Sequence, residues 1–144
     1  MLADAATKTP DGKLYIHGGG WNSLFSLRLP ATHPVLALVL TFRLEWHEAH
    51  EDFPILIELI DEDGQPLALR GEGTLRMAPA TFMKKGTDFY DSIAHPFYGL
   101  TFDSYGQYHF RVSSKDQTLA TIPISVMPIP GVQGNDASGG GERA

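Results

Sequence analysis

In the segment WHEAHED, Trp46 to Asp52, residues His47, Glu48 and His50 bring two imidazoles and a carboxylate into one turn of chain, a donor set suited to zinc. A zincin helix needs H-E-x-x-H, so that its two histidines share a face four residues apart. Here the second histidine follows the first by three, and Glu51 occupies the place it would need. With no third ligand nearby, the segment reads first as a polar connection between strands, and His47 and His50 stand as metal candidates beside that reading. The run DEDG, Asp61 to Gly64, offers hard oxygens from Asp61 and Asp63; calcium held between loops would also draw on Asp103. Asp-Gly between alternating strands is equally the strongest short hairpin signal, and a hairpin turn is the reading preferred.

Three glycines, Gly18 to Gly20, end in Trp21 and suggest a phosphate cradle. A dinucleotide fingerprint needs G-x-G-x-x-G opening a helix, and a P-loop ends in Gly-Lys-Ser/Thr. Here Asn22 and Ser23 lead into another strand, so no helix N-terminus is available for a phosphate. The expectation is a bulge or bend that lets the chain cross between sheets while Trp21 packs over bare backbone. Trp21 and Trp46 are also candidates for an aromatic platform that binds a sugar, although large aromatics more often serve the core. His17 and His109 fall opposite their strands' apolar phase, and His33 and His95 each precede a proline, which favours extended backbone. No nucleophile elbow G-x-S-x-G occurs.

The elements that would position these residues are strands. In VLALVLTFRLEW the positions Leu36, Leu38, Leu40, Phe42, Leu44 and Trp46 are all apolar, a period of two. FPILIELIDEDG repeats it with Phe53, Ile55, Ile57 and Leu59 before the Asp63-Gly64 turn, and Leu67 and Leu69 open the return. LADAAT and KLYIHG form a first hairpin around KTPDG, and LFSLRL adds a short strand. Alternation resumes at YHFRV, with Tyr108, Phe110 and Val112, and ends with LATIPISV, where Pro123 predicts a sheet edge because it cannot donate a ladder bond. WHEAHED is the one helical candidate, a turn or so long. About eight strands with regular turn signals predict an all-β antiparallel β-sandwich, immunoglobulin-like or C2-like. The sequence DSYGQYHFRV favours the former, because a tyrosine heading a strand after a turn suits a tyrosine corner.

The chain has 144 residues, 42% hydrophobic and with a net charge of −6, which suits one domain with one core. The 11 basic residues are scattered, so the partner expected is not nucleic acid, which calls for clustered positive charge. The longest apolar run, Val35 to Leu40, falls far short of the roughly 20 residues that span a bilayer, so no membrane partner is expected. The opening MLADAATKTP lacks the pattern of a signal peptide, and a cytoplasmic protein is expected. Without cysteine there is no disulfide framework. The β-sandwich domain is assigned to residues 1–129 and a flexible tail to 130–144, where GVQGNDASGGGERA holds five glycines and one branched aliphatic residue.

The blocks LADAA, DGKLYIHGGGW, LIDEDGQPL and GQYHFRV together resemble an uncharacterised family of small bacterial, chiefly actinobacterial, proteins over roughly residues 2 to 127. The resemblance implies a fold type and a bacterial source, and no activity. Where that family tends to Asn and Arg in its mid-chain connection, this chain has His47, His50 and Glu51. Without a catalytic constellation, the expected role is a non-enzymatic binding or assembly module working through protein–protein contacts, as a phage or cellular accessory protein, with no cofactor. The alternative is a module for a small ligand, a carbohydrate or metal ion; a metal-dependent enzyme comes last. The edge at Pro123 predicts self-association, with a homodimer as the symmetric way to mask it.

Overall fold

Period-two alternation becomes strand wherever one face is buried, and the computed structural model, which describes residues 1–130, is built almost wholly from it. The strands are β1 (Leu2–Lys8), β2 (Leu14–Trp21), β3 (Ser23–Ser26), β4 (Ala31–Leu44), β5 (Asp52–Ile60), β6 (Pro66–Arg76), β7 (Phe89–Phe102), β8 (Gly106–Ser114) and β9 (Gln117–Pro128). WHEAHED contributes one 3-10 turn, Trp46–Glu48, as short as expected. The strands form two packed sheets, ordered β2-β1-β4-β7 and β3-β9-β8-β5-β6. Between them lie the apolar phases read from sequence: Leu36, Leu38, Leu40 and Leu44 from β4, Ile55, Ile57 and Leu59 from β5, and Tyr108, Phe110 and Val112 from β8. Among the described residues no helix is long and apolar enough to cross a membrane. The tail expected over 130–144 lies, apart from Pro130, outside the described residues.

The arrangement is the immunoglobulin one. β4 and β7 oppose β9-β8-β5-β6, as the B and E strands oppose G, F, C and C′ in a variable-type sandwich. The tyrosine corner forms as expected: Tyr108 is buried and its hydroxyl donates to the Ser104 carbonyl at 2.8 Å. Two residues on, where antibody domains carry a cysteine, stands fully buried Phe110; its ring lies 5.3 Å from that of Phe97 in the other sheet. An aromatic contact thus spans the sandwich from the F-strand cysteine position, reaching the E-strand equivalent β7, whereas the antibody disulfide joins F to B.

Three features depart from or sharpen the sequence reading. First, β7 is an additional strand. Its buried residues are Phe89 and Phe97 in one phase and Leu100 and Phe102 in the other. The change of phase falls at Gly99 (φ +62°), level with Pro34, where β4 also changes phase, from Ala31 to Leu36 and beyond, while the ladder stays in register. One face per strand is what alternation assumes, and a paired change of face hides the pattern. Secondly, β3 pairs with β9 in parallel, whereas the other strand pairs among the described residues are antiparallel. The cause is the crossing just after the glycines: Gly18 (φ +58°) and Gly20 (φ +87°) put an irregularity into β2, which stays paired with β1 as far as Trp21, the Trp21 indole folds back to donate to the Gly18 carbonyl at 2.9 Å, and Asn22 leads into the other sheet. The glycines therefore act as the expected bulge or bend. Thirdly, β9 is an edge over only part of its length. β3 covers Ser125–Pro128, and the open portion includes Pro123, whose missing N–H costs no ladder bond there.

The β1–β2 hairpin does more than extend a sheet. β1 pairs with β4 only at Leu2 and Ala3, yet Lys8 forms an ion pair with Asp91 in β7. Cα atoms of β1 come within 8 Å of β7, closer than the ~9.5 Å that two in-plane strand spacings would give. The hairpin therefore crosses the outer face of its sheet. That explains why Leu36 to Leu40 are buried in both phases.

Candidate functional site

Strand pairing brings three connections to one end of the sandwich. Leu44 at the end of β4 is level with Phe89 at the start of β7, Asp52 at the start of β5 is level with Arg76 at the end of β6, and Ser114 with Gln117 closes the β8–β9 turn. Residues 45–51, 77–88 and 115–116 therefore meet, at the end where variable domains present their binding loops. A cleft of about 180 Å³ opens there between the sheets, floored by Phe42, Leu44, Phe53, Ile55, Leu75 and Leu119 and rimmed by Arg43, Glu48 and Lys115.

The rim is held by local bonds. In 45–51, Glu45 and Glu48 close a capping box around the 3-10 turn, with the Glu45 N–H donating to the Glu48 carboxylate at 2.8 Å. The His50 N–H donates to the Met77 carbonyl at 2.9 Å, which ties the first connection to the second. Arg43 lies 3.7 Å from Glu45 and 3.5 Å from Asp88. Lys115 and Asp116 both take positive φ, 49° and 63°, as a two-residue type I′ hairpin requires, without the usual glycine. Lys115 is steadied by an ion pair with Glu51 and by the Phe53 ring, whose centroid is 4.5 Å from Nζ. The wall also holds the buried Ser114 hydroxyl, which has no partner among the described residues. Chemically this is an apolar recess with a mixed-charge rim. An apolar cavity of about 150 Å³ accepts benzene, whereas drug-sized ligands occupy roughly 300 Å³ or more. The recess therefore suits one aromatic side chain and is too small for an oligosaccharide or a nucleotide.

The residues singled out in the sequence are scattered. Trp21, partly buried, sits at the β2–β3 crossing with its ring centroid 5.9 Å from that of His33. Trp46 lies beyond Leu44, about 36 Å of strand from His33. The two indoles do not form one surface. His47 is exposed, with Nδ1 3.3 Å from a Glu45 oxygen, and exposed His50 takes φ +65°. Asp61 accepts from the N–H groups of Asp63 and Gln65 at 2.9 and 2.8 Å, so that carboxylate shapes the hairpin turn, beside exposed Asp63. Neighbouring Glu62 accepts from the Gln107 N–H at 2.7 Å. No group of three or more His, Asp or Glu suited to a metal occurs among the described residues. Lys115, Leu119 and Phe82 carry no site signal in the sequence, and Phe53 reads there only as an apolar strand position. The polar stretch SSKDQT between the alternating runs YHFRV and LATIPISV was a signal for a turn around Lys115; the cleft itself has none, because its walls come from positions far apart in the chain.

One titration anomaly lies away from this end. His95 is inward-facing on β7, its ring 4.7 Å from Phe97, and burial lowers its pKa below the ordinary value. Gly71 of β6 makes room for it, since a Cβ there would stand 2.7 Å from Nε2. This contact closes the β6 and β7 edges over the core.

A family model described as a family of unknown function (DUF6941) matches residues 1–127. No curated protein and no solved structure matches.

Proposed function

The chain belongs to this family of unknown function, and we propose that it is a non-enzymatic binding module acting through protein–protein contacts, with the loop end as its contact surface. The observation that carries this is the cleft between the sheets, sized for one aromatic side chain and rimmed by the connections 45–51 and 115–116, which the Lys115–Glu51 ion pair joins. An apolar recess with a charged rim is how interfaces seat an anchoring residue: burial of the ring supplies affinity, and the rim orients the approach. The proposal takes the protein as a cytoplasmic accessory component of bacterial origin, of a phage or of the cell.

Toluene, the phenylalanine side chain as a free molecule, tests the cleft. A ligand that binds only the folded state stabilises it by mass action, about 1.4 kcal/mol at ten times its dissociation constant. Toluene should raise the melting temperature of the wild-type protein by a few degrees and leave Leu119→Glu unmoved, because half-exposed Leu119 borders the cleft and a carboxylate there makes it polar. Equal shifts in the two proteins, or none in the wild type, would remove the cleft from the account.

A further inference from the structure

Resting on that reading of the cleft, we propose that the ring it receives is Phe82 of a second copy of this chain, the two copies meeting loop end to loop end about a twofold axis. Phe82 lies in the connection 77–88 and is 89% exposed, the most exposed large hydrophobic among the described residues. A single exposed aromatic is ordinary; this one is presented. The next residue, Met83, packs against the core, its N–H donates to the Ala80 carbonyl at 2.9 Å, and the Thr87 N–H donates to the Lys84 carbonyl at 3.2 Å. The loop is thus folded around its own bonds with the Phe82 ring outside them. Phe82 does not line the cleft of its own chain, although both stand at the same end.

Charge fits the same pairing. Lys84 and Lys85 follow Phe82 and form no ion pair among the described residues, whereas the first connection carries Glu45, Glu48 and Glu51, and Asp52 follows at the start of β5. Arg43, Arg76 and Lys115 already lie near three of these acids, and Glu48 has no cation of its own among the described residues. The lysines of one copy would therefore extend an existing network on the other, acting on orientation and association rate more than on affinity. In an isologous interface each copy gives what it receives, so two Phe82-to-cleft contacts form together.

That reciprocity provides the test. Sedimentation of the full chain at loading concentrations up to about 1 mM, the weak limit of specific association, should show a monomer–dimer equilibrium. Phe82→Ser and Leu119→Glu should each weaken it at least tenfold. An equimolar mixture of the two variants should associate more tightly than either alone, because the mixed dimer keeps one intact contact, Phe82 from one chain in the unaltered cleft of the other. Phe82→Ser alters an exposed side chain and keeps the test available if Leu119→Glu folds poorly. A wild-type protein that stays monomeric while toluene still stabilises it would overturn this inference and leave the cleft standing. A dimer indifferent to Phe82→Ser, or variants whose mixture regains nothing, would also overturn it.

Discussion

Gly20 and His47 divide the chemistry that attracted attention in the sequence from the geometry that matters to the fold. Gly20 has φ +87° and no atom within 4 Å of where a Cβ would stand, so a side chain there is opposed by backbone conformation alone. A β-branched residue at such φ costs about 1 to 3 kcal/mol, whereas trimming exposed His47, whose near partner is one rim carboxylate, costs under about 0.5 kcal/mol. Gly20→Val should therefore lower urea-unfolding stability clearly more than His47→Ala, and the reverse order would show that the WHEAHED turn is clamped by something unseen. His95 yields a dependence on pH. Its folded pKa is lowered by burial, so below the ordinary histidine value near 6.5 the unfolded chain binds more protons than the native one. Its contribution to stability is complete above that value and is lost as pH falls through the folded pKa. Between about pH 7 and about pH 5 the wild type should lose more stability than His95→Asn, which cannot titrate; parallel curves would place the pH dependence elsewhere.

At the scale of elements, legibility followed whether one strand kept one face. β8 keeps one buried phase throughout and β5 does so as far as Leu59, before Ile60 is buried in the other phase at its end, and the alternating core residues of both could be read from sequence. The same holds for the tyrosine corner, whose donor and acceptor lie four residues apart, and for the crossing at Gly18 to Trp21, where local backbone decides the path. β7 was hidden because Asp91 and His95 stand among its apolar residues, because Pro96 reads as a breaker, and because Gly99 swaps its faces. Its partner β4 shows the same swap at Pro34, but five consecutive buried residues, Leu36 to Leu40, made the strand obvious. Turn chemistry provides a prediction here. Lys115-Asp116 holds two side chains at positive φ, so Asp116→Gly should stabilise the β8–β9 hairpin by about 1 kcal/mol, read as a higher urea midpoint at unchanged slope. A loss of stability would mean that the Asp116 side chain has a bonding role at the rim. Lys115 should not be replaced in the same variant, because its ammonium joins Glu51 to the Phe53 ring.

For the whole molecule, the decisive arrangement is convergence. The strand order takes connections that begin after residues 44, 76 and 114 and delivers them to one end, and no local pattern announces that meeting. The cleft is a product of topology, whereas the sites suggested by sequence are products of composition; WHEAHED reaches the cleft through Glu48 at its rim. Two other surfaces compete with the loop end: the outer face bearing exposed Tyr90 and Tyr98, and the uncovered part of β9 around Pro123. An amide-resolved NMR map of the whole domain during titration with toluene separates all three most directly. The account predicts shift changes gathered at Leu44, Phe53, Leu75, Ser114, Lys115 and Leu119, with β9 near Pro123 and the tyrosine face silent. Changes centred on Tyr90 and Tyr98, or on Ile122 to Ile124, would contradict it.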